Sequence, residues 1–318
     1  MEISLERTAE LLSNNSNIVI TAHVHPDGDS LGSMLALDKC LSSMGKNVQL
    51  ILDDAVPDMY DFLPGTCKII KPNSQKIKAD LLVVLDASDI ERIGHVRAAV
   101  DAPVLNIDHH ISNTKFADYL FLDSDAAATG EILFKLFKHM NTTIDPDIAT
   151  SLYTAIATDC GFFRYANTSS NTMRYCAELI DFGAKPNLIS EALEARPLAA
   201  ITNLSKMLDT LELFFDGKVA AITVLPEMLT DNDNTEGVIN YPRIIEGVEI
   251  AIMFKFVEDG ICRISLRSAR VDVSQLALSF GGGGHARAAG CTVSGTVAEV
   301  KEKVIGAVIE HLQADYYG

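Results

Sequence analysis

Basic residues are scarce in this chain: 26 Lys and Arg stand against 43 Asp and Glu among 318 residues, a formal net charge of −17. Affinity for long nucleic acid comes mostly from cations that neutralise phosphates, so an evenly acidic chain is poorly suited to gripping long duplexes. Acidity leaves open a short phosphorylated substrate held by metal ions and a few local donors. Paired cysteines are missing too. The six cysteines, at 40, 67, 160, 176, 262 and 291, form no Cys-x-x-Cys. That argues against a zinc knuckle, a redox dithiol or a disulfide framework, and fits a reducing cytoplasm. The opening residues Met1 to Arg7 show no basic leader followed by an apolar core, so no signal peptide is expected. No apolar run reaches the length of a membrane span, the better ones, such as Leu81 to Leu85, being strand-sized. The expected location is the cytoplasm, with no membrane partner.

What is present is enough apolar material, 48% of residues, for two cores. Ile18-Val19-Ile20, Val48 to Leu52, Leu81 to Leu85 and Val104 to Ile107 read as buried strands. Helical patterns run from about Ser30 to Met44, Gly130 to Met140 and Pro146 to Thr158. Strands alternating with helices predict an α/β fold with a largely parallel sheet. The pattern turns helical from about Ser169 to Leu213, and Asp216-Gly217 opens a second set of strands. Val248 to Val257 and Ile261 to Leu266 read as a hairpin around Glu258-Asp259-Gly260. Thr296 to Glu299 has capping-box spacing for a closing helix with Val300, Val304, Val308 and Leu312 as its stripe. The division predicted is 1–190 as catalytic domain, 191–214 as helical connector and 215–318 as a smaller α/β substrate-binding domain.

The chemistry begins at His23-Val24-His25-Pro26-Asp27-Gly28-Asp29, directly after a buried strand, where open α/β sheets place their ligands. Pro26 and Gly28 predict a bent loop that turns Asp27 and Asp29 inward; alone, the heptad also reads as a solvated turn. Asp86 ends a second core strand and Asp108 a third, the latter followed at once by His109 and His110. Buried charge is costly unless paired or metal-bound, so acids at several strand ends point to one shared crevice. Asp159 closes the helical stretch before Cys160-Gly161.

These motifs resemble the DHH phosphoesterase family, named for the triplet that stands here as Asp108-His109-His110. The His23–Asp29 loop is similar to its first motif, Asp86 to its second and Thr158-Asp159-Cys160-Gly161 to its fourth, with Cys160 where the family usually has Thr. The resemblance implies one metal on His23, Asp27 and Asp86, and a second on Asp29, Asp86, His109 and Asp159, with Asp86 bridging. It implies that His110 contacts the scissile phosphate and that Asp108 orients the histidines. Four carboxylates and two neutral imidazoles carry a formal −4, which two divalent ions balance. Oxygen-rich ligation without thiolate favours Mn2+, with Mg2+, Co2+ or Fe2+ as alternatives. Such a pair can lower the pKa of a water and clamp phosphoryl oxygens, for in-line attack on phosphorus.

In the C-terminal part, Arg267-Ser268 ends a strand and Gly281 to Gly284 precede His285. Bare backbone amides and an Arg fork suit an anion, although a run of glycines alone also reads as a flexible loop. Together Arg267, Ser268, Gly282, Gly283, Gly284 and His285 resemble the DHHA1 domain, which implies that they hold the far end of the substrate. The pair of domains looks most like the group that cleaves short single-stranded RNA and 3′-phosphoadenosine 5′-phosphate. Cyclic di-AMP or linear dinucleotides such as pApA are the alternative substrates, and a non-catalytic nucleotide-binding protein the alternative class. A homodimer is compatible with either reading.

Overall fold

Apolar runs of four or five residues become central strands when both faces of the sheet are covered, and the N-terminal half of this chain follows that rule. The structure is a computed structural model. It describes all residues except 74, 230–234, 236, 258, 259 and 318, and only the backbone of 315–317. Its contacts divide the chain into two units, Met1–Ala195 and Arg196–Gly318.

The first unit runs α1 (Leu5–Asn14), β1 (Asn17–Thr21), α2 (Gly28–Ser43), β2 (Asn47–Leu50), β3 (Ile77–Lys78) and β4 (Leu81–Leu85). It continues through α3 (Val96–Ala99), β5 (Val100–Asp101), β6 (Val104–Asp108) and β7 (Tyr119–Leu122). It closes with α4 (Thr129–His139), α5 (Pro146–Asp159), α6 (Ser170–Asp181) and α7 (Pro186–Glu194). Five strands form a parallel sheet in the order β2-β1-β4-β6-β7, and β3 and β5 form a separate short pair. Alternate residues serve the two faces. Ile18, Ile20, Val83, Leu85, Leu105 and Ile107 pack toward α2, α4 and α5, while Val19, Leu82, Val84 and Val104 pack with Ile93 and Val96 on the other side. The chain leaves β1 toward β2 on one side and leaves β4 toward β6 on the other. The carboxyl ends of β1 and β4 therefore flank a topological switch point, where such sheets form a crevice.

α2 is buried all round and starts earlier than its sequence pattern predicts, at Gly28 rather than about Ser30. Asp27 is the reason: its Oδ1 accepts from Ser30 N–H at 3.0 Å while Ser30 Oγ accepts from Asp27 N–H at 2.9 Å, a reciprocal cap that carries the helix back over the glycine. α2 then lies against α5 without side-chain space between them. A Cβ on Gly32 would stand 2.3 Å from Ser151 O, and one on Gly28 would stand 2.3 Å from Thr158 Oγ1. β7 has no counterpart in the sequence reading, because Tyr119-Leu120-Phe121-Leu122 is only four residues long and lacks β-branched side chains.

The second unit runs α8 (Leu198–Leu208), β8 (Glu212–Phe214), β9 (Val219–Val224), α9 (Asn240–Arg243), β10 (Ile250–Val257) and β11 (Ile261–Ser268). Then follow α10 (Val273–Ser279), β12 (Gly283–His285), β13 (Ala288–Ser294) and α11 (Val297–Tyr317). The division between units falls inside the stretch expected as a connector and counts α8 with the second unit. The sheet order is β12-β13-β11-β10-β9-β8, mixed, with β9 and β10 parallel. Val300, Val304, Val308 and Leu312 of α11 cover one face against Ile250, Ile252 and Phe254; Met207 of α8 covers Ala251 and Met253 on the other. The β10–β11 pair has the antiparallel register expected of a hairpin; Glu258 and Asp259, read as its turn, lie outside the described residues.

One expectation is corrected here. The glycine run is only partly a loop, since Gly283–His285 is an edge strand paired with β13. Small residues make this possible: a Cβ on Gly284 would stand 2.5 Å from Ala289 Cα.

Candidate metal centre

Each donor in the first unit arrives at the crevice by a local device. His23 lies two residues beyond β1, with Nδ1 2.8 Å from Val24 O. That contact turns Nε2 toward Asp27 Oδ2 at 3.5 Å and Asp86 Oδ2 at 3.4 Å. Asp27 divides its oxygens, Oδ1 capping α2 and Oδ2 facing His23. Asp86 follows β4 in the left-handed region, φ 56°. Asp tolerates this conformation better than most residues, and it bends the chain so that a buried carboxylate faces the crevice. Asp86 Oδ1 lies 3.5 Å from His109 Nε2, so its two oxygens serve different histidines.

His109 mirrors His23. Its Nδ1 lies 3.3 Å from Ala126 O, and its Nε2 faces Asp29 Oδ2 at 3.8 Å and Asp159 Oδ2 at 3.6 Å besides Asp86. Asp29, buried in the first turn of α2, accepts from the backbone N–H groups of Thr129 at 2.7 Å and Gly130 at 2.9 Å. Those are the first residues of α4, whose own N-cap position, Ala128, has no side chain able to cap. A carboxylate from α2 therefore caps α4 and meets the positive end of its dipole. Thr129 Oγ1 also donates to Asp86 Oδ1 at 3.2 Å. Asp159 is the last residue of α5. Beside it, the Cys160 thiol donates to Ile156 O at 2.8 Å, the bond a Thr hydroxyl makes to the preceding turn of a helix, so Cys fills that place without disturbing Asp159.

His110 is held differently. Its Nδ1 lies 2.7 Å from Asp108 Oδ1, with Asp108 wholly buried and His110 partly exposed. The eight N-terminal candidates thus converge at one crevice. The backbone amides of Thr129 and Gly130 belong to it as well, although no side-chain motif marks them.

Histidine-to-carboxylate separations of 3.4–3.8 Å exceed hydrogen-bond length. They approach the edge of a coordination polyhedron with bonds of about 2.1 Å, roughly 3.0–3.5 Å. Three groups of donors lie close enough to share an ion: His23, Asp27 and Asp86; Asp29, His109 and Asp159; and Asp86, His109 and His110. Oxygen and imidazole donors with no thiolate fit a divalent cation of the manganese or magnesium kind.

The electrostatics of the cation-free cradle point the same way. Burial disfavours the charged forms of His23, Asp29, Asp86, His109 and Asp159. For His23 that is outweighed by Asp27 and Asp86, which raise the imidazole to about 10. Asp86, Asp29 and Asp159 likewise outweigh burial at His109, also raised to about 10. Burial and the neighbouring carboxylates Asp86 and Asp159 push Asp29 well above the carboxylate range. Burial lifts Asp159 to about 6 against the pull of His109. Asp86 resists burial because His109 and His23 hold it below its usual value. Crowded carboxylates thus retain protons on both histidines, which a divalent cation would displace.

In the second unit, Arg267 on β11 and His285 on β12 both stand opposite Ala288 of β13. They share one face of the sheet, about 10 Å apart across two strand spacings. The Ser268 hydroxyl donates to Val271 O at 2.5 Å, which closes the turn after β11. Gly282 packs on β13, where a Cβ would stand 2.1 Å from Gly290 O, whereas Gly283 has open space beside it.

Residues 17–156 match the DHH family N-terminal domain and residues 216–314 match the DHHA1 domain. The bifunctional oligoribonuclease and PAP phosphatase NrnA of Thermus thermophilus is 33% identical over 297 residues, 93% of this chain and 90% of that protein. The protein of the same name from Bacillus subtilis is 24% identical over 92% of this chain and 93% of its own. Among solved structures, an exopolyphosphatase-related protein from Bacteroides fragilis superposes with a TM-score of 0.86 at 25% identity, over 98% of this chain and 95% of that one. With both domains matched and a close relative aligned along nearly its whole length, the chain belongs to the DHH–DHHA1 family of metal-dependent phosphoesterases.

Proposed function

We propose that this protein hydrolyses terminal phosphoester bonds in short oligoribonucleotides and in 3′-phosphoadenosine 5′-phosphate, using two divalent ions, Mn2+ foremost. The observation that carries this reading is Asp86, whose two oxygens face His23 and His109 and so join two cation cages through one carboxylate. His23, Asp27 and Asp86 would hold one ion; Asp29, Asp86, His109 and Asp159 would hold the other. When bound, such a pair supplies an activated water and a positive clamp for the phosphoryl oxygens.

The chain's own groups do the rest. Asp108 fixes the His110 ring at Nδ1, and His110 Nε2, with no partner in the chain among the described residues, is left for a phosphate oxygen. Arg267, Ser268, the glycines 282–284 and His285 would hold the nucleotide's far end. Bonds to backbone carbonyls fix the tautomer of His23 and His109, so their Nε2 lone pairs face inward once deprotonated. Relatives named for oligoribonuclease and PAP phosphatase activity along almost the whole chain support this substrate pair over cyclic dinucleotides. The free cysteines suit action in the cytoplasm.

The test is a substrate panel: purified protein with Mn2+ against di- to pentaribonucleotides, 3′-phosphoadenosine 5′-phosphate, cyclic di-AMP and pyrophosphate. Mononucleotides from the short RNAs and free phosphate from the adenosine bisphosphate are expected. Cleavage of cyclic di-AMP alone would replace the substrate assignment, and failure on all four by fully metallated protein would remove it.

A further inference from the structure

β6 is apolar on the face it turns to α2, α4 and α5, where Leu105 and Ile107 are buried. Its other face carries Asn106 and Asp108, both wholly buried. A carboxamide in that position is destabilising unless its donors and acceptor are used. Asn106 uses them in two directions. Its Nδ2 donates to Val84 O at 3.1 Å and Ala87 O at 3.3 Å, the carbonyls flanking the bend that carries Asp86. Its Oδ1 accepts from Asn113 Nδ2 at 2.8 Å. The same Asn113 nitrogen donates to Asp108 Oδ2 at 2.6 Å, and Asn113 Oδ1 accepts from Lys115 N–H at 2.8 Å. Asp108 Oδ1 is the oxygen that holds His110. A turn closed by Asn113 N–H on His110 O, 3.1 Å, brings Asn113 back beneath Asp108.

We propose that Asn106 and Asn113 are positioning residues that tie the Asp86 bend to the Asp108–His110 pair, setting the place of the imidazole relative to the cation cages. The inference rests on the phosphoesterase reading. Without Asn113, Asp108 keeps one partner instead of two, and its carboxylate can turn about the strand end. Without Asn106, the left-handed backbone at Asp86, φ 56°, loses the amide that clamps the carbonyls around it. A single unbroken chain of hydrogen bonds therefore reaches from β4 to His110. Both asparagines are buried, so on this proposal their effect passes through Asp86 and His110.

The experiment uses the full-length Mn2+-loaded protein with Asn113→Ala, and the same change in a His110→Ala background. Asn113→Ala is expected to lower kcat on a diribonucleotide by about 10–100-fold, the usual effect of removing a supporting partner, with KM and bound Mn2+ per chain unchanged. In the His110→Ala background it is expected to change kcat little. Histidine-selective 15N labelling of the diamagnetic Mg2+-loaded protein supplies a readout independent of turnover: the His110 Nδ1–H resonance, sheltered by Asp108, broadens or shifts in Asn113→Ala. An equal loss of kcat in both backgrounds, or an unaltered His110 resonance, would overturn the proposal. Should Asn113→Ala not fold, Asn113→Ser keeps one donor and is read by the same criteria. A wild-type protein inactive on every substrate would count against the phosphoesterase reading, while the His110 resonance would still decide the positioning role.

Discussion

Among single residues, Asp86 has the largest consequences because it is asked to do two things: adopt a left-handed backbone and offer both carboxylate oxygens. Asn keeps the shape and tolerates that backbone as well as Asp does, so Asp86→Asn separates charge from fold. We expect kcat to fall by about 10³-fold or more, about 4 kcal/mol of transition-state stabilisation, with the metal-free protein still folded but lower in Tm at pH 6, since Asp86 helps hold the protons on His23 and His109. Retained turnover would contradict a bridging role. Arg267→Ala is expected to raise KM by about tenfold at nearly unchanged kcat, as loss of a contact that binds substrate and transition state alike does; steady-state kinetics on a diribonucleotide decide it. His23, Asp27, Asp29, Asp86 and the Asp108–His110 triplet were legible in the sequence because acids and histidines after apolar strands need an explanation, whereas Asp159, at the end of a helix, was legible chiefly through its resemblance to a family motif. Thr129 and Gly130 were not, since they contribute through backbone N–H groups that any residue possesses. Asn106 was also hidden, being one polar letter inside a run that reads as an ordinary core strand.

Among elements, the glycine contact between α2 and α5 sets the spacing of Asp29 and Asp159, which ride on those two helices. Gly32→Ala places a methyl 2.3 Å from a backbone carbonyl that cannot swing away. The expected result is a loss of about 1–3 kcal/mol, seen in thermal unfolding, together with weaker Mn2+ binding as the helices are forced apart. Gly306 is the opposite case. It sits exposed in the interior of α11 with nothing within 4 Å, so Gly306→Ala should stabilise the second unit by about 0.8–1 kcal/mol. The same contrast explains which elements could be read from the sequence. β1, β4 and β6 announce themselves as compact apolar runs, and α11 shows both its cap and its stripe. β12 and β13 are built from Gly and Ala with few β-branched side chains, and they form a hairpin because neighbouring backbones can come close, which strand propensity does not record.

For the whole molecule, the protonated histidines make stability and metal binding respond to pH in opposite senses. His23 and His109 hold protons up to about 10 in the cation-free protein, above the unfolded value of about 6.5. Their contribution is complete below about 6.5 and is lost as pH rises through about 10. Asp159, raised to about 6, adds a loss that begins earlier, above the ordinary carboxylate range. Calorimetry of the metal-free protein should therefore show the first unit melting at lower temperature at pH 9 than at pH 6. Mn2+ has to displace those protons, so its affinity should rise over the same interval, with proton release measurable from the buffer dependence of the binding heat. The close contact of α2 with α5 also gives the cradle a stiff frame. If Asp29 and Asp159 hold one ion, as proposed, a change of cation has to be taken up by the two carboxylates and not by sliding of the helices that carry them.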